Sequence, residues 1–322
     1  DWVLHGPILD KTLIRNYVCY NLAGEIMEYA PNVRFCEAFI NGEYMGLYLM
    51  VESVTAGDND SRLQLSINRK NNTFTGYCLR VDDGSNEIKD LNTFSMYTYQ
   101  TEGVVDSVYP GTSNLTPEMK ARIQKDFSAF ERILYSGDYN DPRYGYEAYI
   151  DVDSFVDYFI LNEFSSNYDA GARSTYIYKE VGGPYKLCVW DFNSALDNYQ
   201  EQAVDPEMFL LQNRVWFNAL IQDGRFTERV IQRYRELRET YLSEEYLNQY
   251  IDETIAYLGD AIDRNNERWD KDFAYDLLSP PERNPDSYEE AVQDMKQYIH
   301  VRGEWMDENM DMLRQYIVDP AE

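Results

Sequence analysis

Two aspartates on either side of a predicted β-hairpin are the residues of this chain best suited to chemistry. Asp169 lies in a polar loop after an apolar helical stretch, and Asp191 directly follows the apolar run 187–190. A carboxylate at the end of a rigid strand can face a cleft and hold Mg²⁺, which prefers oxygen ligands. This order of helix, loop, hairpin and Asp is also the order of a kinase catalytic loop and its metal-binding Asp. From the residues alone, a role as turn formers explains both aspartates equally well.

The sequence lacks the motifs of several other common mechanisms. His5 and His300 are its only histidines, and it contains neither G-x-S-x-G nor H-E-x-x-H, so a serine hydrolase or a zinc peptidase is poorly supported. The glycine loops G-x-x-x-x-G-K-[ST] and G-x-G-x-x-G are also missing, which counts against an ordinary kinase. Phosphoryl transfer by carboxylates and metal ions stays open, because it depends on charge neutralisation and positioning.

The composition predicts a globular, strongly acidic protein. Hydrophobic residues make up 44% of the chain, and 57 Asp plus Glu face 29 Lys plus Arg, for a formal charge of -28. Such a charge repels nucleic acid and anionic lipid and attracts a basic protein substrate, although an acidic surface also simply confers solubility. No apolar run is long enough to cross a bilayer, so membrane insertion is not expected, and the oligomeric state is left open.

The four cysteines form no recognisable metal or redox motif. They lie at Cys19, Cys36, Cys78 and Cys188, without any C-x-x-C spacing. Buried free thiols are the expected state, and the even count leaves two disulfides as the alternative.

The first part of the chain predicts a helix followed by antiparallel strands. Residues 10–28 carry a helical apolar stripe with Asp10 as a candidate cap. Asn41-Gly42 between two apolar runs predicts a β-hairpin. Residues 55–115 combine turn residues with short strand-like runs such as 75–81, which predicts an irregular β-rich insertion.

The second part predicts helices around one more hairpin. Thr116-Pro117 begins a helix, Asp151 or Asp153 begins another, and Gly182-Gly183 joins two strands. Everything beyond about residue 206 has helical periodicity, with breaks at Gly224, Ser243 and Pro280-Pro281.

Several motifs along the chain resemble the CotH kinase family. The resemblance spans nearly all 322 residues, and the motifs occur in the same order as in the family. They are the W-x-L to R-N block at 2–16, N-G-E-Y-x-G-L-Y at 41–48, N-x-D at 167–169, S-T-Y-x-Y-K at 174–179, V-W-D-F-N at 189–193 and R-x-x-W-M-D at 302–307. It implies an α+β, divergent protein-kinase-like fold with two lobes. We expect an antiparallel sheet lobe at 1–115, truncated at its start, and a mainly helical lobe at 116–322.

The resemblance also implies an activity. The family is that of an atypical kinase that phosphorylates Ser in spore-coat proteins, so a Ser-rich protein substrate, ATP and Mg²⁺ or Mn²⁺ are expected. From the family we expect the protein to be located in the spore coat, or to be secreted or on the cell surface of a bacterium. Asp169 matches the catalytic-loop Asp and Asp191 the metal-binding Asp, while Asn193 is a candidate second metal or phosphate ligand.

The residues expected to bind the nucleotide are less well marked. Lys11 and Arg15 are one helical turn apart and are candidates to face the phosphates, and Glu52 ends a strand where a kinase passes into its hinge. Solvated charges and an ordinary strand-end Glu are the alternatives. Ser174 stands where a kinase loop often carries Asn. The alternative function is a weak pseudokinase that serves as a coat or surface scaffold or adhesin.

Overall fold

The chain folds as an α+β protein with antiparallel sheets, which confirms the predicted fold class at this level. The computed structural model describes residues 1–56, 62–66, 75–82, 104–111, 113–269 and 272–318. The predicted insertion at 55–115 therefore lies partly outside the described residues. Within the described residues there are two sheets of three and four strands and eight α-helices.

The first sheet contains strands β1 (Trp2–His5), β2 (Val33–Ile40) and β3 (Glu43–Glu52), in the order β1-β3-β2. The predicted hairpin at Asn41-Gly42 is confirmed, because both residues have positive φ angles (52° and 85°) and join β2 to β3. Alternate residues of β3 face the core beside helix α1 (Arg15–Ile26), namely Leu47, Leu49 and Val51.

The second sheet brings together strands that are far apart in the sequence. It consists of β4 (Tyr77–Asp82), β5 (Val104–Tyr109), β6 (Thr175–Lys179) and β7 (Tyr185–Cys188), in the order β5-β4-β6-β7. The hairpin predicted at Gly182-Gly183 is confirmed by the pairing of β6 with β7. Two of the strands precede residue 115 and two follow it, so the sheet spans the predicted boundary between the lobes.

The helices of the second part follow strand β5 in the sequence, and the β6-β7 hairpin lies between two of them. These helices are α2 (Pro117–Leu134), α3 (Val152–Phe164), α4 (Phe217–Leu220), α5 (Gly224–Arg238), α6 (Glu244–Leu258), α7 (Asp260–Arg268) and α8 (Tyr288–Asn309). Short 3-10 segments lie at 146–148, 211–213, 272–274, 281–283 and 310–316. The core between the sheet and these helices is rich in large rings, including Phe127, Phe130, Phe155, Tyr185 and Trp216.

Local capping explains why several helices begin where the sequence predicts. Thr116 accepts a hydrogen bond from Met119 N (3.2 Å), and Asp151, not Asp153, accepts one from Ser154 N (3.1 Å). Both satisfy amide groups that the first helical turn leaves unpaired. Asp10 is not the residue that precedes α1. It reaches forward from the preceding loop to accept the amide of Arg15 (2.8 Å), so it satisfies the helix N-terminus from a distance.

Two helix predictions in the C-terminal part are wrong. Residues 206–224 form only a 3-10 turn and the short α4, because the backbone groups of this segment are bound by side chains of other helices. The stretch 244–269 is interrupted at Gly259, where a φ of 47° separates α6 from α7.

The structure also bears on the predicted state of the cysteines and on membrane-spanning helices. All four cysteines are free, and three of them, Cys19, Cys78 and Cys188, are buried. Among the described residues, no helix is both long and apolar enough to span a bilayer.

Candidate active site

Asp191 emerges from the second sheet just beyond the end of β7. Its backbone is held on both sides: the amide donates to Tyr20 Oη (2.8 Å), and the carbonyl accepts from Asn167 Nδ2 (3.0 Å). Its carboxylate accepts the amide of Asn193 (2.9 Å). The side chain stays partly exposed, so the carboxylate is fixed in place and still accessible.

Asp169 lies in the loop that follows helix α3 and is tied to the segment after Asp191. Its carboxylate accepts a short hydrogen bond from Ser194 Oγ, and its carbonyl accepts the amides of Ala172 and Arg173 (3.0 and 2.8 Å). Together with the bond from Asn167 to Asp191, this link brings the two loops into one site. The structure thus places the two aspartates predicted from the sequence side by side.

The electrostatics of Asp191 show that its negative charge is poorly compensated. Burial raises the pKa of the Asp191 carboxyl, and the nearby charges of Asp169 and Asp82 raise it further. The amide of Asn193 and the imidazole of His5 act in the opposite direction without cancelling the rise. Bringing in a cation would relieve this repulsion, since an opposite charge favours the ionised carboxylate.

Backbone strain is concentrated around the two aspartates. Among the described residues, eight besides glycine have a positive φ angle, and five of these lie between 166 and 197: Ser166, Ser174, Asp191, Leu196 and Asp197. Such conformations cost about 1–3 kcal/mol each and persist only where the surroundings enforce them. This concentration of strain is typical of a functional site.

The donor set near Asp191 fits a hard divalent cation. The carboxylates of Asp169 and Asp191 and the amide oxygen of Asn193 are oxygen donors of the kind that Mg²⁺ prefers. Asn193 is oriented by Asn16, whose Nδ2 donates to its Oδ1 (2.8 Å). Within the described residues no group of three His, Cys, Asp or Glu side chains is arranged to hold a metal.

Lys11 and Arg15 are occupied by contacts elsewhere. The guanidinium of Arg15 forms a buried ion pair with Asp10 and donates to Leu196 O (3.4 Å), while Lys11 Nζ donates to Tyr275 O (3.1 Å). Both line a cavity of about 380 Å³ whose described lining includes neither aspartate of the site. The structure does not bring these two cations to Asp169 and Asp191.

Glu52 ends strand β3 and makes structural contacts there. Its carboxylate accepts from Asn32 N (3.0 Å) and from Arg62 Nη1 (2.8 Å). These bonds fix the start of β2 and the chain beyond β3. They account for Glu52 without a ligand.

Several residues of the site were not predicted from the sequence. Asn16 and Tyr20 of helix α1 both bond to the segment after β7, and Ser194 bonds to Asp169. His5 at the end of β1 lies beside Asn16 (3.4 Å) and interacts with the charge of Asp191. All four are remote in sequence or unremarkable in type, so only the three-dimensional contacts reveal them.

An aromatic wall stands beside Asp169. The rings of Tyr168 and Tyr199 stack with their centroids 4.0 Å apart, and the guanidinium of Arg214 lies 5.2 Å from the Tyr168 ring. Burial, the hydrogen bond to Glu201 and nearby negative charges including Asp169 raise the pKa of Tyr199 to about 12, so this phenol stays neutral at physiological pH. One side of the site is therefore a pair of stacked, neutral tyrosine rings with the Arg214 guanidinium beside one of them.

The comparison with family models identifies one family for this chain. The model described as CotH kinase protein matches residues 1–306 of the 322-residue chain. A search of the curated proteins found no match. Because the matched region covers nearly the whole chain, the protein belongs to the CotH kinase family.

Proposed function

We propose that this member of the CotH kinase family transfers the γ-phosphate of ATP to Ser or Thr hydroxyls of a protein, with Mg²⁺ or Mn²⁺ bound at Asp191. The observation that carries the proposal is the joining of Asp169 and Asp191 into one accessible site by Asn167 and Ser194. Two neighbouring carboxylates on loops that follow a helix and a sheet strand suit metal-dependent phosphoryl transfer.

The two aspartates have different environments, which supports different roles. One carboxylate oxygen of Asp169 accepts from Ser194, which orients the group and leaves its other oxygen to accept the proton of an incoming hydroxyl. Asp191 and Asn193 supply the oxygen donors for the metal. When bound, the metal ion neutralises phosphate charge, and the chain contributes mainly positioning.

A two-lobed, kinase-like arrangement is part of the proposal. Strand β1, helix α1 and the β2-β3 hairpin precede the site, as a strand, helix and strands do in the smaller lobe of a kinase. Helix α3, the loop with Asp169, the β6-β7 hairpin and Asp191 then follow in kinase order. In this arrangement the nucleotide lies between the first sheet and the loops after α3 and β7.

The net charge supports a basic protein substrate. With a formal charge of -28, the chain attracts Lys- and Arg-rich segments over long distances and repels nucleic acid and anionic lipid surfaces. Together with the family's name, this favours a Ser-rich coat or surface protein of a bacterium as the acceptor.

Transfer of label from γ-labelled ATP to a basic Ser-containing peptide, with Mg²⁺ or Mn²⁺ present, tests the proposal. We expect Asp191→Ala to lower the rate by roughly a hundredfold or more, as loss of a central charge-stabilising group does. Asp252→Ala is the matched control, since Asp252 is an exposed aspartate on α6 that pairs with Lys296 of α8. Equal transfer by the wild type and Asp191→Ala would overturn the assignment.

A scaffold without catalysis is the second candidate. It is favoured by one observation: the cations predicted to face the phosphates, Lys11 and Arg15, are bound to Tyr275 and Asp10 instead. Calorimetry with Mg-ATP separates the two functions, because a scaffold without nucleotide contacts gives no binding heat and no thermal shift.

A further inference from the structure

Helix α1 contacts three consecutive residues of the segment that carries Asp191. Tyr20 Oη accepts the amide of Asp191 (2.8 Å), Asn16 Oδ1 accepts the amide of Phe192 (2.9 Å), and Asn16 Nδ2 donates to Asn193 Oδ1 (2.8 Å). Asn16 and Tyr20 are four residues apart and so lie on the same face of the helix. Both are buried, with 6% and 2% of their surface exposed.

The contact from Tyr20 falls on the strained residue itself. Asp191 has a φ of 58°, a left-handed conformation that Asp adopts at a cost. Its amide is directed at the phenolic oxygen of Tyr20, and the ring of Tyr20 packs edge-on against Trp190 and Phe192 (6.1 and 5.4 Å between centroids). The ring thus fixes the residues flanking Asp191 while the hydroxyl fixes its backbone.

We propose that Tyr20 and Asn16 are positioning residues that hold Asp191 and Asn193 in the conformation that binds the divalent cation. Only the expected effect on phosphate transfer rests on the proposed function. Neither residue needs to touch the substrate. Each acts through a ligand, as outer-shell hydrogen bonds do at metal sites, where losing one typically weakens metal binding about 10–100-fold.

The chain provides a matched pair of variants for the test. Tyr20→Phe removes the acceptor of the Asp191 amide and keeps the ring packing. Tyr29→Phe removes a buried hydroxyl that has no hydrogen-bond partner within the described part of the chain. Asn16→Ser is the second variant, because its shorter side chain cannot bridge Phe192 and Asn193.

Metal binding and amide exchange are the measurements. We expect Tyr20→Phe and Asn16→Ser to weaken Mn²⁺ binding, followed by electron paramagnetic resonance, about tenfold or more, with Tyr29→Phe unchanged. Exchange of the Asp191 amide, followed in the peptide 188–194, should speed up about tenfold in Tyr20→Phe. In the transferase assay, the half-saturating Mg²⁺ concentration should rise in parallel, and excess Mg²⁺ should restore part of the rate.

The outcomes separate this inference from the proposed function. If the wild type binds Mn²⁺ but transfers no phosphate, the transferase proposal fails, and the metal-binding and exchange measurements still test the inference. If Tyr20→Phe and Asn16→Ser match Tyr29→Phe in Mn²⁺ affinity, the positioning role is overturned. A loss of activity in Tyr20→Phe with normal metal affinity and normal amide exchange would overturn it as well.

Discussion

Two charged clusters involve the stretch from Glu163 to Asp191, and their charges are treated in opposite ways. Glu163 and Arg302 form an ion pair in which both side chains are wholly buried. Asp169 and Asp191 are two like charges, partly exposed and held close together by hydrogen bonds between their loops. The first cluster is neutralised and the second is not.

The contacts of this ion pair show how two buried charged groups have their hydrogen-bonding capacity satisfied. All five N–H groups of the Arg302 guanidinium donate, to the carbonyl and carboxylate of Glu163 and to the carbonyls of Pro206 and Met208. The Glu163 carboxylate also accepts the amides of Leu210 and Leu211 (2.7 Å each). By contrast, the pKa of Asp191 is raised by burial and by the repulsion of Asp169. The buried charge of Glu163 is paired with a cation, whereas the partly exposed charge of Asp191 is opposed by a second negative charge.

Breaking the ion pair should have the largest effect on stability. Arg302→Met leaves the Glu163 carboxylate buried without its cation, and we expect the free energy of unfolding to fall by about 3–5 kcal/mol. Urea unfolding followed by circular dichroism measures this change. Arg314→Met is the control, because Arg314 pairs with Glu228 and Asp311 on the surface and its loss should change stability far less. Similar losses in both variants would mean that burial of the pair adds nothing.

The same ion pair explains why part of the fold could not be predicted from the sequence. Helices begun by Thr116, Asp151 and Ser243 follow from capping residues adjacent in the chain. Residues 206–224 have equally clear helical periodicity, yet Glu163 and Arg302 bind the backbone groups that a helix would have used internally. Local sequence patterns therefore predict a helix correctly unless a side chain distant in the sequence binds the backbone groups of that segment.

Removing a charge from the second cluster should have the opposite effect on stability. The folded-state pKa of Asp191 is raised, so its ionised form costs stability above that pKa, and the cost disappears as the pH falls through it. Asp191→Asn should therefore be more stable than the wild type near pH 7 without metal, and the difference should shrink toward acidic pH. Thermal unfolding from pH 4 to pH 7 in the presence of a chelator measures it.

Adding Mg²⁺ sharpens this contrast. At a hundred times its dissociation constant, a cation bound only by the folded wild type stabilises it by about 2.7 kcal/mol. Asp191→Asn should gain much less, which would reverse the order of stability of the two proteins. An equal gain in both would place the cation elsewhere.

The elements that flank the two aspartates could be predicted from the sequence because they are local. Asp169 follows a capped helix, and Asp191 follows a strand closed by a Gly-Gly turn. The partners that position them could not be predicted, since Tyr20 lies 171 residues from Asp191. Likewise, Lys11 and Arg15 have the charge and spacing of phosphate ligands. In the structure, however, Arg15 forms its ion pair with the nearby Asp10.

The smallest effect should come from Ser194, whose hydroxyl bonds to Asp169. Ser194→Ala leaves both charges in place and removes only one orienting bond to a carboxylate. A hydrogen bond to a charged group contributes about 1.5–3 kcal/mol, so we expect the transfer rate to fall by roughly tenfold or more. Ser128→Ala in helix α2 is the control and should be unchanged in the same peptide assay. Within the described residues, this bond restrains the direction of the Asp169 carboxylate. A rate for Ser194→Ala equal to that of the control would therefore show that orientation of Asp169 does not limit the reaction.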